Sequence, residues 1–362
     1  MKKYKWLLLL LLLLCFSPIL SEAQELNTTE YSENLEVQEF TPEPFIIDTD
    51  FSSDIDDALA ISVACGYEHQ GLINIRGVAL CCTSSRGAHA MSALLGQHKI
   101  WDVPIACSAD TGIPIGSKYH MGMTAYPHNE TYFGDVVNFY RIMLASSSEK
   151  VNIVVLGQIV NLYELLNSVP DVHSQLNGYE LIKEKVDTIY FLGGKSNGCI
   201  ENNIFYGGDN YGNNPYWNNT KISEITKYVA ENIPCRMVWM EADITGSFSV
   251  GGFLEKTDKK KEDILTRALV DFGQTWGSAS FDPFGVYIAA LDSNDILTEN
   301  MLELQSGTMR VKLTGTSYFT HDDPTRNHFR VEKLANDGFY QSEINKILAS
   351  EYTLRSGKEI IW

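Results

Sequence analysis

Five aspartates fall within ten residues in the run Asp48-Thr49-Asp50-Phe51-Ser52-Ser53-Asp54-Ile55-Asp56-Asp57. Carboxylates packed this closely repel one another, and keeping them together costs stability unless a cation neutralises them. Oxygen donors of this kind are what the hard cations Ca²⁺ and Mg²⁺ require. One or two of these acids would be accounted for by the first turn of a helix, where a carboxylate offsets the helix dipole. Five directly after an apolar stretch call for a hard-cation site. The run is not an EF-hand loop, because it has neither a glycine at its middle nor a closing glutamate. Such a cluster could polarise a water for attack on a substrate and steady positive charge developing nearby.

The elements around the run say how it would be held. Phe45–Ile47 is a short apolar stretch, and Ala58–Tyr67 is apolar at helical spacing, so the acidic run joins a strand to a helix. The alternation continues. Strands are expected at Ile73–Leu80, Val103–Cys107, Val151–Leu156, Val186–Leu192 and Arg236–Met240. Helices are expected at Gly87–His98, Asp135–Ala145, across Leu162–Leu166 and at Ile222–Glu231. Strands alternating with helices imply βαβ units, and therefore an α/β fold: a single domain with a central, mostly parallel sheet flanked by helices. Such sheets bind ligands beyond the carboxyl ends of their strands. That rule directs attention to Asp48–Asp57, Cys81–Arg86, Gly157-Gln158, Gly193–Asn197 and Glu241–Asp243. Residues 196–220 are rich in Gly and Asn and form a long loop, a common place for function.

The pattern Asp48-Thr49-Asp50, Asp56-Asp57-Ala58-Leu59-Ala60 resembles the N-terminal signature of the nucleoside hydrolases, in the inosine/uridine-preferring family and its Asp-Ile-Asp-Asp branch. Further stretches are similar in the same order: Gly77-Val78-Ala79, Asp102–Ile105, Val154–Leu162, Phe191–Gly194 and Ser280–Pro283. The resemblance covers roughly residues 45–350. It implies a Rossmann-like core and calcium-dependent hydrolysis of the N-glycosidic bond of a ribonucleoside or related N-riboside, giving base and ribose. It implies Ca²⁺ held by Asp50, Asp57, the Leu156 backbone carbonyl and Asp282, with Asp50 also the general base. Asp56 and Asn210 would contact the ribose, with Ser84 and Trp276 as further substrate contacts. Members of the family form dimers or tetramers, so a homo-oligomer is a further expectation.

The sequence departs from the family at the leaving-group end. Phe281 stands where the familiar members carry a histidine that can protonate the departing base. Ser84 or Ser85 replaces an asparagine, and Gly208 stands where a glutamate precedes the ribose-binding asparagine. Tyr211, Trp217 and Trp276 are candidates to stack on a base, and His120, His128, His321 and His328 are candidate acids. Each aromatic or histidine has a plainer reading as core, loop packing or surface. Two alternatives to a nucleosidase stay open. One is a nucleoside- or sugar-binding protein that keeps the metal pocket without turnover; the other is a metal-dependent phosphatase.

The rest of the chain narrows the setting. Lys2, Lys3 and Lys5 precede an apolar run from Trp6 to Phe16, followed by Ser21-Glu22-Ala23. This pattern predicts a signal peptide over 1–23, cut after Ala23, and a secreted, periplasmic or extracellular protein. A lipid anchor at Cys15 is the lesser alternative. Residues 24–44 read as a flexible leader and 45–362 as the α/β domain, with no membrane span in the mature chain. The formal net charge of −18 argues against a nucleic-acid partner, since phosphate binding needs clustered Lys and Arg. The six cysteines after Cys15 sit mostly in apolar stretches and read as buried free thiols.

Overall fold

The computed structural model describes residues 41–52, 54–82, 85–108, 116–204, 221–321, 326–358 and 360. All of these lie in one compact unit, residues 40–362. The predicted signal peptide and all of the leader before Thr41 fall outside the described residues.

In chain order the elements are β1 (Glu43–Thr49), α1 (Asp56–His69), β2 (Ile73–Leu80), α2 (Ser85–Gln97), β3 (Ile105–Cys107), α3 (His120–Met123) and α4 (Val136–Ser146). Then follow β4 (Val151–Val155), α5 (Val160–Leu166), α6 (Gly178–Lys185), β5 (Val186–Leu192), α7 (Ile222–Asn232), β6 (Arg236–Met240) and α8 (Ala242–Thr245). The last part holds β7 (Ser249–Val250), α9 (Phe253–Thr257), α10 (Ile264–Phe272), β8 (Ser278–Ala279), α11 (Phe281–Ser293), β9 (Leu302–Val311), β10 (Ser317–Thr320), β11 (His328–Lys333) and α12 (Asp337–Ser356).

Nine strands make one sheet in the order β10-β9-β11-β6-β5-β4-β1-β2-β3. From β11 to β3 every pairing is parallel, and only β9 runs antiparallel to its neighbours. The expected mostly parallel α/β architecture is what the chain adopts. The central strands are buried along their whole length, as in Val151–Val155, because helices cover both faces. That double coverage gives two core layers, one around α1, α2, α11 and α12, the other around α4, α5, α6 and α7.

Two boundaries differ from the sequence expectation. β1 runs on to Thr49, so Asp48 lies inside the strand and not in the loop after it. β3 begins only at Ile105; Pro104, with no N–H to give, precedes it and offers only its carbonyl, to Val78. Strands β9 and β11 and the edge strand β10 beside them were not anticipated. Their sequences mix Glu, Gln, Ser, Arg and Lys with apolar residues and carry no continuous apolar run.

Helix α1 is the spine of one layer. Its residues from Asp56 to Tyr67 are all buried, since α11 and α12 both pack on it. A polar network fastens α12 there. Glu351 accepts from His98 Nδ1 at 2.6 Å and faces His69 Nδ1 at 3.0 Å, while Arg355 Nε donates to Asp263 at 2.6 Å. Burial, helped by the Arg355 charge, pushes the His98 imidazole down to about 4, so the ring is neutral. Among the described residues no helix is long and apolar enough to cross a membrane. Cys65, Cys81, Cys82, Cys107 and Cys235 are buried thiols, and Cys199 is exposed.

Candidate active site

Strand β1 pairs with β2 on one side and β4 on the other, and the chain leaves it first toward β2 and β3, then returns to β4. Neighbouring connections therefore diverge at the carboxyl ends of β1 and β4, which opens a crevice there. The acidic run leaves β1 into this crevice, and Leu156-Gly157-Gln158 leaves β4 beside it. The two segments are locked together. Leu156 N–H donates to the Asp48 carbonyl at 2.7 Å, and Cys81 N–H donates to the Thr49 carbonyl at 3.0 Å.

Asp48 forms the floor. Its carboxyl accepts from Tyr140 Oη at 2.7 Å and from Asn161 Nδ2 at 3.0 and 3.1 Å. Burial nonetheless outweighs these donors and pushes its pKa up to about 7, with Asp50 adding repulsion. Asp50 accepts from Gln158 Nε2 at 3.2 Å and lies directly against the backbone of Gly157. Asp56 and Asp57 open helix α1, whose N-cap Ile55 supplies no side-chain cap. Thr49 Oγ1 donates to Asp57 Oδ1. The packing of α11 on α1 brings Asp282, in the first turn of α11, beside Asp57, close enough for each carboxyl to shift the other's titration.

The electrostatics of this cluster are one-sided. Burial, then other carboxylates, raise Asp56, Asp57 and Asp282 well above the usual carboxylate range. The strongest charges acting on each of the three are other aspartates, with no cation among them. Asp56 Oδ1 and Asp57 Oδ2 are buried without a hydrogen-bond partner. Carboxylate oxygens of Asp54, Asp56 and Asp57 converge within 4.8 Å of one another. Orphaned buried acceptors in a purely acidic environment suit a divalent cation, which would satisfy the oxygens and relieve the repulsion.

The residues singled out from sequence divide into three groups. Asp50, Asp56, Asp57 and Asp282 come together. Leu156 is beside them, but its carbonyl already accepts from Asn203 Nδ2 at 2.9 Å, so only its second lone pair is open to another partner. Trp276 stands 56% exposed on the turn before β8, and no hydrogen bond or ring contact among the described residues joins it to the carboxylates. Ser84, Asn210, Tyr211 and Trp217 lie outside the described residues. Phe281 puts its ring against Gly246 after α8.

The four candidate histidines lie on separate segments of the chain. His120 is buried against Phe51, ring centroids 5.0 Å apart, and burial pushes it down to about 4. His328 begins β11, level with Met237 near the start of β6. His321 is held to the Ser306 carbonyl at 3.1 Å, and His128 to the Tyr126 carbonyl at 2.8 Å.

Three further residues belong to the site and escaped the sequence reading. Asn203 donates to the Leu156 and Leu192 carbonyls, and its Oδ1 accepts from Gln158 Nε2, so it ties β4, β5 and the Asp50 partner together. Glu201 is buried and accepts the N–H groups of Gly194 and Asn203. An acid followed two residues later by an amide was sought at Gly208 and Asn210; Glu201-Asn202-Asn203 has that spacing closer to the Gly193-Gly194 strand end. Tyr119 Oη is buried without a hydrogen-bond partner, and Asp57 and Asp54 add to the burial that raises its pKa. No spacing around Tyr119 marks it. A separate cavity of about 510 Å³, lined by Ser92, Trp101, Asp102, Asn129, Tyr132 and neighbours, contains none of the clustered aspartates.

No protein-family model and no curated protein matches this chain in sequence. Solved structures do match. The purine-preferring ribonucleoside hydrolase from Gardnerella vaginalis superposes with a TM-score of 0.62 at 15% identity, over 87% of this chain and 100% of that one. The fold is that of the nucleoside hydrolases. The inosine-uridine preferring nucleoside hydrolase from Bacillus anthracis gives 0.60 at 12% identity, over 84% and 99% of the two chains. A plant nucleoside hydrolase gives 0.60 at 17%, over 87% and 99%.

Proposed function

We propose that the chain is a calcium-dependent N-glycosidase that hydrolyses ribonucleosides or related N-ribosides to free base and ribose. The observation that carries this reading is the buried aspartate cluster with orphaned Asp56 Oδ1 and Asp57 Oδ2 at the crevice between β1 and β4. The likeness of the whole fold to enzymes described as nucleoside hydrolases supports it.

Asp50, Asp57, Asp282 and the open lone pair of the Leu156 carbonyl would hold the cation. When bound, it supplies neutralising charge to these carboxylates and acidifies a water for attack. Asp50 takes the water's proton. Its reach is fixed by Gln158 on one side and Gly157 beneath it. Asp56 accepts a hydrogen bond from a ribose hydroxyl. Cleavage of an N-glycosidic bond passes through an oxocarbenium-like state, which the carboxylates stabilise as its positive charge grows. The sequence's N-terminal pattern adds a proposal of export by a cleavable signal, and an exported enzyme of this type would degrade external nucleosides.

One observation favours a second reading, a nucleoside- or sugar-binding protein without turnover. Phe281 offers no proton to a leaving base, and His120 is neutral. The discriminating experiment is a ribose-release assay on a nucleoside panel, with Ca²⁺ and with chelator, on wild type and Asp50→Asn. Calcium-dependent release that Asp50→Asn abolishes supports the hydrolase. Tight Ca²⁺ binding with no release from any nucleoside supports the binding protein.

A further inference from the structure

Among the described residues the pattern Asn-x-Thr or Asn-x-Ser occurs once, at Asn129-Glu130-Thr131. In an exported protein this tripeptide is an acceptor for N-linked sugar wherever the middle residue is not proline. All three residues are exposed, on the irregular stretch between α3 and α4. Asn129 and Thr131 both line the cavity of about 510 Å³, together with Trp101 and Asp102. We propose that Asn129 carries an N-linked glycan, and that the first pyranose of that glycan sits on Trp101 in this cavity. The proposal rests on the export reading and is independent of the carboxylate cluster.

The asparagine is already placed for the attachment. Its backbone N–H donates to Ser92 Oγ at 2.8 Å, and its side-chain Nδ2 donates to the Trp101 carbonyl at 3.3 Å. A primary amide has two N–H donors. Glycosylation uses one and leaves the other for the Trp101 carbonyl, so the bond survives the modification. In the transfer, Nδ2 bonds to C1 of the reducing-end sugar of a lipid pyrophosphate-linked oligosaccharide. The C1–O bond breaks, its electron pair leaves with the pyrophosphate, and the amide gives up one proton. Nothing is oxidised or reduced.

Trp101 supplies the seat. It is 41% exposed. A Cβ on Gly96 would stand 2.5 Å from Cη2 and Cζ3 of Trp101 and 2.9 Å from Cε3, so the missing side chain lets the indole rest on α2. The ring is thus backed by a helix while it lines the cavity. A pyranose presents C–H groups on its flatter face, and an aromatic face attracts their partial positive charge. Asp102 lines the same cavity and can accept from sugar hydroxyls. The volume lies within the roughly 300–1,000 Å³ typical of small-molecule sites.

The test is translation of the full chain with endoplasmic-reticulum microsomes, then peptide mapping by mass spectrometry. Wild type should enter the vesicle and carry a glycan on Asn129. Asn129→Gln and Thr131→Ala should each lose that glycan, and Thr131→Ser should keep it. For the seat, the same chains are purified after secretion from cultured eukaryotic cells and melted. Thr131→Ala should lower the thermal midpoint by about 2 °C, and in a Trp101→Ala background the same substitution should leave the midpoint unmoved. A chain that stays outside the vesicle would overturn the proposal together with the export reading. A chain that enters with Asn129 unmodified would overturn the proposal alone, and so would a midpoint shift that is the same with and without Trp101.

Discussion

Gly157 lies closer to Asp50 than any side chain permits. A Cβ at this position would stand 2.8 Å from both the backbone nitrogen and Cβ of Asp50, and 2.9 Å from its Cγ. Ordinary contact starts at 3.4 Å, so Gly157→Ala must displace the aspartate by 3.4 less 2.8, about 0.6 Å. The neighbouring atoms are backbone and a short side chain locked at the crevice, so little of that shift can be absorbed by rotation. Overpacking of this kind costs about 1–3 kcal/mol of stability. A misplacement approaching 1 Å at a reacting group costs roughly 100-fold in rate, so the variant should lose about 10- to 100-fold in ribose release. Urea denaturation and the nucleoside assay would be run beside Gly134→Ala, where an added Cβ meets nothing within 4 Å. The reasoning fails if Gly157→Ala matches Gly134→Ala in both the unfolding midpoint and the rate.

Other predictions follow from the charges. Asp48, pushed up to about 7 from 3.8, binds a proton more tightly in the folded state than in the unfolded one. Its contribution is therefore complete below pH 4 and lost as pH rises through 7, at most about 4 kcal/mol. In chelator, the urea midpoint of wild type should fall between about pH 4 and 7, and Asp48→Asn should flatten the curve; an equally steep curve would refute the assignment. Asp282→Asn removes one like charge from the cluster, so it should stabilise the metal-free protein at neutral pH by on the order of 1 kcal/mol while weakening Ca²⁺ in calorimetry. The opposite sign in the first measurement would show that Asp282 does not share the strain. Arg355→Ala strands the buried Asp263 carboxylate and should cost about 3–5 kcal/mol in urea, whereas Lys346→Ala, at an exposed pair with Glu343, should cost under about 1 kcal/mol.

Much of the fold could be read directly because the parallel strands are buried on both faces. Residues such as Val151–Val155 and Val186–Leu192 must then be apolar nearly throughout, and such runs stand out. Strands β9 to β11 escaped because they are only partly buried, and the alternation in Leu302–Val311 is broken by Gln305-Ser306-Gly307. The acidic half of the site was legible for a related reason: no structural use explains five carboxylates at a strand end. Asn203 was not, because its role rests on two carbonyls and an amide contributed by segments that are distant in the chain. Trp276 shows that residue type alone does not give position: it stands exposed on the turn before β8.

The carboxylates that meet at the crevice are made far apart in time. Asp57 and Asp282 are separated by 225 residues, 282 less 57. At about 5–20 residues per second of synthesis, roughly 10–45 seconds pass between them. During that interval α1, apolar on every side, has neither α11 nor α12 to cover it. The nascent chain thus carries an uncovered greasy helix with an acidic head, and only its last quarter supplies the cover. Truncation near the C-terminus should therefore yield an aggregating chain and not a smaller working one.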